Sequence, residues 1–189
     1  MADPAIGNWD LTNPTELDYL RPTGFKFQIH NMPNTSFFCQ SANIPDMMLG
    51  QALVGTPLID YFEPGEKIRF GELNIRFLIQ ENMENFKELQ AWMVGLGSPQ
   101  DHKQYKEWGE SQQHRFPLVD PTKQQALGNF SDATLFVLDS NNNPTLKINF
   151  EDCFPIALGG LEFDISSGNT EYFQGLASFR YKFYTIENI

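Results

Sequence analysis

From Gly24 onward the chain alternates: Phe25, Phe27 and Ile29 point one way and Lys26, Gln28 and His30 the other. That is the period of two of a half-buried strand. NMPN (31–34) predicts a turn, and TSFFCQSA (35–42) predicts a second, short strand that stops at Pro45. Further on, EKIRFGELNIRFLIQ predicts a central strand with Leu73, Ile75, Phe77 and Ile79 on one face and Asn74 and Arg76 on the other. At ENMENFKELQAWMVGLG the period changes, because Phe86, Leu89, Trp92 and Met93 recur three and four apart. A single helix of about three turns is expected there, started by Asn82 or Asn85 and ended by Gly95 or Gly97.

A second β block follows. It comprises DATLFVLD, the turn SNNNP, TLKINF, a crossing segment EDCFPIAL, GGLEFDI, the turn SSGN, and a long final strand TEYFQGLASFRYKFYTI. The Asn, Ser and Gly clusters accept hairpin dihedrals, which is why they separate alternating runs. In the final strand Phe173, Ala177, Phe179, Tyr181 and Phe183 share one face, and Gln174, Ser178, Arg180 and Lys182 the other. About seven strands and one packed helix predict a mainly β, α+β fold, an antiparallel β sandwich or barrel.

Two stretches interrupt this regularity. Residues 46–66 carry Met47, Met48, Leu49, Leu53, Val54, Leu58, Ile59, Tyr61 and Phe62 between Gly50, Gly55, Pro57 and Pro64. This reads as a long apolar loop or hairpin, far above the usual loop median of about 4–6 residues and too apolar for disorder. Residues 98–131 are polar, with Pro99, Pro117 and Pro121, and predict an insertion with a short helix around DHKQYKEW. Residues 1–20 hold Asp3, Asp10, Glu16 and Asp18 with no Lys or Arg, an acidic arm ahead of one domain over 21–189.

Composition narrows the function. Thirteen Lys+Arg against 24 Asp+Glu leave −11, which disfavours adhesion to phosphate backbones or anionic lipid. Apolar residues at 41% of 189 suffice for one core. MADPAIGNWD has neither a basic n-region nor an apolar h-region, and no apolar run approaches a membrane span, so neither a secretion signal nor a membrane partner is expected. Cys39 and Cys153 lie far apart without a CxxC, which predicts two small buried hydrophobes in a reducing compartment.

Catalytic chemistry finds little footing. His102 and His114 flank Asp101, Glu107 and Glu110, but the spacing matches no HExxH-type site, and His30 falls on a solvent-facing strand position. Glu81, Glu84 and Glu88 oppose the helix's apolar stripe, where a solvated face belongs. GxSxG, P-loop and post-strand GxGxxG patterns are missing, and GLG at 95–97 reads as a helix end. EYFQG at 171–175 lies inside the final strand and reads as native sequence. No enzyme, metal or cofactor is expected.

The succession RPTGFKFQI, FFCQSANIP, the Gly/Pro-spaced apolar loop, FGELNIRFLIQEN, the helix closing KELQAW and the strand GLASFRYKFYTI resembles the tail tube proteins of contractile-tailed bacteriophages. The resemblance covers about residues 21–97 and 131–186. It implies a virion structural protein assembled in the host cytoplasm: hexameric rings sharing an inner β-barrel, stacked into a hollow tail tube that conducts DNA without binding it specifically. Tail sheath, baseplate and neck proteins are the implied partners. The acidic arm and the polar insertion depart from that pattern and leave open a same-fold baseplate or neck ring. A monomeric binding module, with 46–66 and 98–131 as its groove, is the alternative from another class, and a hydrolase using His102 or His114 is a third.

For independent reasons the residues fit an assembling protein. Long alternating strands leave edges to be paired between subunits, and an apolar loop needs a partner surface. Met47, Met48, Leu49, Leu53, Val54 and Ile59 are therefore the expected subunit interface. Arg180 and Lys182 are expected to meet a neighbour's acidic side chains.

Overall fold

A computed structural model describes residues 19–20, 22–30, 32–101, 103–104, 130–164 and 172–189. Within them the chain forms β1 (Phe25–Ile29), α1 (Pro33–Phe37), β2 (Cys39–Ala42), β3 (Met47–Gly55), β4 (Asp60–Phe70), β5 (Leu73–Leu78), α2 (Glu84–Gly97), β6 (Ser131–Leu138), β7 (Pro144–Leu158), β8 (Gln174–Arg180) and β9 (Tyr184–Asn188). All pairings are antiparallel. The main sheet runs β1-β6-β7-β8-β5-β2, β9 also pairs with β7, and β3 and β4 pair only with each other. The mainly β fold with one long helix agrees with the sequence reading.

The fifteen-residue β7 is the spine. Its first part pairs with β6 and β9, and its last part with β8. The segment read as a separate crossing element, EDCFPIAL, is the second half of this strand. Asp152 takes a positive φ of 53° there, so the strand bends while Cys153 beyond it stays buried. The predicted closing strand breaks at the same place into β8 and β9, yet it keeps its register through the corner, with Phe154 opposite Arg180 and Phe150 opposite Tyr184, and shifts only further along, between Pro155 and Ala157. Glu151 and Lys182 carry the hydrogen bonds across the corner: Glu151 N–H donates to the Phe183 carbonyl, and Lys182 N–H to the Glu151 carbonyl. Bending this long ladder lets both halves of the sheet bury their inner faces in one core.

That core holds Phe27, Ile29, Met32, Leu73, Ile75, Phe77, Leu135, Ile148, Phe150, Ala177 and Phe179, all essentially inaccessible. Leu89 and Trp92 close it from α2, with the Trp92 ring 6.2 Å from that of Phe179. Phe86 is only half-buried; Asn85 and Gly95 complete the buried stripe instead. Asn85 is tolerated because its amide is used fully. Its Nδ2 donates to the Leu78 carbonyl at 2.7 Å, and its Oδ1 accepts from the Gln80 and Phe86 N–H groups. Gly175 lies so close beneath Phe77 that a Cβ there would meet the ring at 2.5 Å.

Several local expectations are corrected. TSFF is not strand: α1 occupies it, with Pro33 at the helix start, where its missing N–H costs nothing, and only Cys39–Ala42 pairs. Ser36 fixes that turn by accepting from Ile29 N–H at 2.8 Å and donating to the Met32 carbonyl at 2.7 Å. GGLEF continues from β7 without strand pairing. Met83, not Asn82 or Asn85, holds the N-cap position of α2 in left-handed geometry, yet both asparagine side chains serve the helix start: Asn82 Oδ1 accepts from Glu84 N–H and Asn85 Oδ1 from Phe86 N–H. At the far end Ser98, not a glycine, takes the left-handed cap, φ 42°, and donates its N–H to the Val94 carbonyl. The arm at 1–20, apart from exposed Tyr19 and Leu20, and most of 98–131, including the DHKQYKEW helix beyond its first residues, lie outside the described residues, as does the SSGN turn.

Both cysteines are free thiols. Burial pushes Cys153 up to about 12 and half-buried Cys39 up to about 11. The folded state therefore prefers neutral Cys153, a contribution present in full below about pH 9 and lost as pH rises towards 12. Native Cys153 should resist iodoacetamide at pH 8 and react readily in urea, as read by mass spectrometry; equal rates in both would contradict its burial. Trp92→Ala should cost about 3–5 kcal/mol in urea unfolding, because the ring is fully enclosed.

Candidate functional site: an apolar hairpin

The stretch 46–66 is a hairpin that extends to Phe70, longer than the sequence suggests. Thr56 closes its tip: its N–H and hydroxyl both donate to the Ile59 carbonyl, and its Oγ accepts from Ile59 N–H. Midway, the register shifts between Leu49 and Gln51. Gly65 and Gly50 meet here so closely that a Cβ on Gly65 would lie 2.7 Å from the Gly50 carbonyl oxygen. A side chain at Gly65 would push the strands apart.

The pairing sorts the side chains onto two faces. Met47 opposes Phe70, Leu49 opposes Ile68 and Leu53 opposes Phe62, so odd residues of β3 and even residues of β4 share one face. That face is apolar but for Gln51, Asp60 and, by the same parity, Glu66, which lies in the irregular stretch between the paired Pro64 and Ile68. The other face mixes Met48, Ala52, Val54 and Tyr61 with Glu63, Lys67 and Arg69. Of the residues expected at an interface, Met47, Leu49 and Leu53 thus come together on the apolar face. Met48 and Val54 lie on the reverse, and Ile59 ends the tip. Phe62 and Ile68 join the apolar face; their alternation was hidden in the sequence by Pro64 and Gly65.

Among the described residues nothing covers this surface. Leu53 is 60% exposed, Phe62 64%, and Met47, Leu49 and Ile68 are similarly open. Only the root is anchored: Phe70 packs its ring 5.9 Å from Tyr181 and 5.4 Å from Tyr184, both of which contact Phe150. An isolated two-stranded hairpin is marginal in water, and a contiguous apolar patch of this kind marks a binding surface.

Arg180 and Lys182 lie near the root but have partners within the chain. Arg180 Nη2 donates to Glu72 Oε1 at 2.7 Å, and Lys182 Nζ stands 3.8 Å from Asp152. His30 is exposed, and His102 and His114 fall outside the described residues. Among the described residues no helix is long and apolar enough to cross a membrane, and no group of three His, Cys, Asp or Glu side chains is placed to hold a metal.

The sequence profile of the phage tail tube protein family matches residues 10–187. No curated protein matches the chain. Among solved structures, the cryo-EM cap that terminates the anti-feeding prophage tube superposes with TM-score 0.60 at 11% identity, over 96% of this chain and 99% of that one. A chain of the extended PVC sheath–tube complex, from an extracellular contractile injection system, gives 0.58 at 10% identity over 90% and 93%. One from the anti-feeding prophage baseplate gives 0.54 at 11% over 86% and 90%. At such identities the likeness is one of fold.

Because the hairpin lies outside the core, Leu53→Asp with Val54→Asp should leave the unfolding free energy within about 1 kcal/mol of wild type. A loss of several kcal/mol in urea titration would mean that the hairpin packs on its own domain.

Proposed function

The chain belongs to the phage tail tube protein family, and from that premise we propose that its subunits form hexameric rings stacked into the inner tube of a contractile tail. It is a structural, non-enzymatic component of the virion tail. The lumen of the stacked rings conducts DNA, and sheath, baseplate and neck proteins are the tube's partners. The observation that carries this reading is the hairpin: a persistent apolar face that nothing among the described residues covers, which a neighbouring subunit would bury.

Two further features support it. Among the described residues β1 and β2 end the main sheet without a further strand, edges that cyclic assembly can pair between neighbours. Several outward positions of the sheet are neutral or already paired, with Lys26 and Arg76 as exposed cations beside them: Thr134 bonds Asn149 at 3.3 Å, Ser178 bonds Asn74 at 2.6 Å, and Lys147 lies 3.8 Å from Glu187. Such a wall offers a passing duplex little to hold, and the net charge of −11 repels it. Arg180 and Lys182 stand at the rim of the interface; both keep donor capacity for a neighbour's carboxylates beyond their contacts within the chain. A position at the end of the tube is the second reading, favoured by the superposition on the anti-feeding prophage cap along nearly the whole chain.

Purified protein should form six-subunit rings and tubes by electron microscopy, whereas the Leu53→Asp, Val54→Asp variant should stay folded and not stack. Rings that never stack, even at high concentration, would favour the tube-end position; a monomer throughout would refute assembly. Filter retention at about 150 mM salt, where the Debye length is roughly 8 Å, should show no duplex DNA held at micromolar protein. Retention would contradict the repulsive conduit.

A further inference from the structure

The hairpin is not the only apolar surface left open. At the other end of β5, where Leu78 N–H donates to the Phe38 carbonyl and Ile79 N–H to the Phe173 carbonyl, a second patch gathers. Phe163 is 72% exposed and packs its ring 4.8 Å from that of Phe173. Tyr172, 84% exposed, adjoins Phe173, and Leu176 stands open on the outward face of β8. Phe37 is exposed at the β2 side of the same end, ring to ring with Phe38 at 5.0 Å. None of these serves the core, and the tail tube assignment gives them no role.

The two surfaces lie at opposite ends of one strand. The hairpin departs where Gly71 N–H donates to the Asp46 carbonyl, and the aromatic patch sits beside Ile79, about 25 Å away at roughly 3.3 Å per residue. A hairpin rooted at one end cannot cover the other end of its own subunit without leaving its place. A second copy displaced along the strand can be reached. Contact between two different surfaces of identical chains is heterologous, so each added copy offers the same unmatched ends again.

We propose that the Phe163–Tyr172–Phe173–Leu176 patch is the seat for the apolar hairpin face of the next subunit, Leu53 and Phe62 foremost. This rests on the reading of the hairpin as an assembly surface and names what it docks on. Area favours a second copy as the occupant. Aromatic side chains bury about 150–250 Å² each, so the patch offers on the order of 500 Å², and a few such contacts between two rings exceed the roughly 800 Å² per partner of a stable interface. The chemistry is matched as well. Leu49, Leu53 and Phe62 meet the rings of Phe163, Tyr172 and Phe173, while Asp60 at the hairpin tip and Glu162 and Asp164 beside the seat stay at the solvated rim.

The test uses two variants of the full chain, both altered at exposed positions: Leu53→Asp with Phe62→Asp for the hairpin, and Phe163→Asp with Tyr172→Asp for the seat. Thermal unfolding establishes that each is folded. Neither should grow tubes alone. Mixed as preformed rings, they should pair once, because intact hairpins of the seat variant meet intact seats of the hairpin variant; analytical ultracentrifugation should find double rings and nothing longer. A seat variant that grows normal tubes while the hairpin variant does not would overturn the seat and leave the hairpin reading standing. A hairpin variant that grows normal tubes would overturn both. If the aspartates unfold the seat variant, Leu53→Cys with Tyr172→Cys replaces it: oxidised tubes should run as covalent ladders on non-reducing gels, and tubes without that linkage would overturn the seat.

Discussion

Apolar side chains must leave water, and this chain meets that demand within itself only for its bent sheet. Trp92, Phe77, Phe150 and Phe179 are sealed inside, whereas the hairpin of β3 and β4 carries a comparable run of hydrophobes into solvent. The rest of the architecture serves that division. The bend at Asp152 brings both parts of the β7 ladder over one core, and the aromatic cluster of Phe70, Phe150, Tyr181 and Tyr184 at the bend fixes the root from which the hairpin projects. A fixed root with an uncovered arm suits assembly, since the arm leaves its subunit at a defined place and presents its apolar face to a neighbour.

Much of this was legible in the sequence wherever one face of an element meets the core. Phe25–Ile29, Leu73–Leu78 and the helix around Leu89 and Trp92 alternate at their own periods, and the structure agrees. The turn at 139–143 was legible too. Asp139 accepts N–H bonds from Asn141 and Asn143, which is why its carboxyl stays acidic, and Asn142 takes a positive φ. The family resemblance also held, because it rests on the order of elements rather than on any single residue.

What was misread has physical causes. FF in TSFF suggested a strand by propensity, but Pro33 and the two Ser36 hydrogen bonds stabilise a helical turn, and local geometry overrode residue type. Phe86 was counted as a helix anchor because it stands three positions before Leu89, yet buried Asn85, four before Leu89, takes the inward position with partners for both its amide nitrogen and its oxygen. The closing strand is bent, and nothing in its even alternation says where; the bend is set by Asp152 on its partner. Residues 46–66 were recognised as apolar and external, but their two faces emerged only from the pairing, since Gly50 and Gly65 disturb the register. The aromatic patch escaped altogether, because Phe163 lies in the irregular stretch after β7 and Tyr172 and Phe173 just ahead of β8, outside any strand.

The central claim, that the hairpin is uncovered in the subunit and covered in the assembly, is tested most directly by hydrogen exchange read segment by segment. Amides of residues 47–70 should exchange quickly in dissociated subunits and become strongly protected in tubes, while those of β5 and the buried part of β7 are protected in both. Equal, rapid exchange of the hairpin before and after assembly would contradict the account.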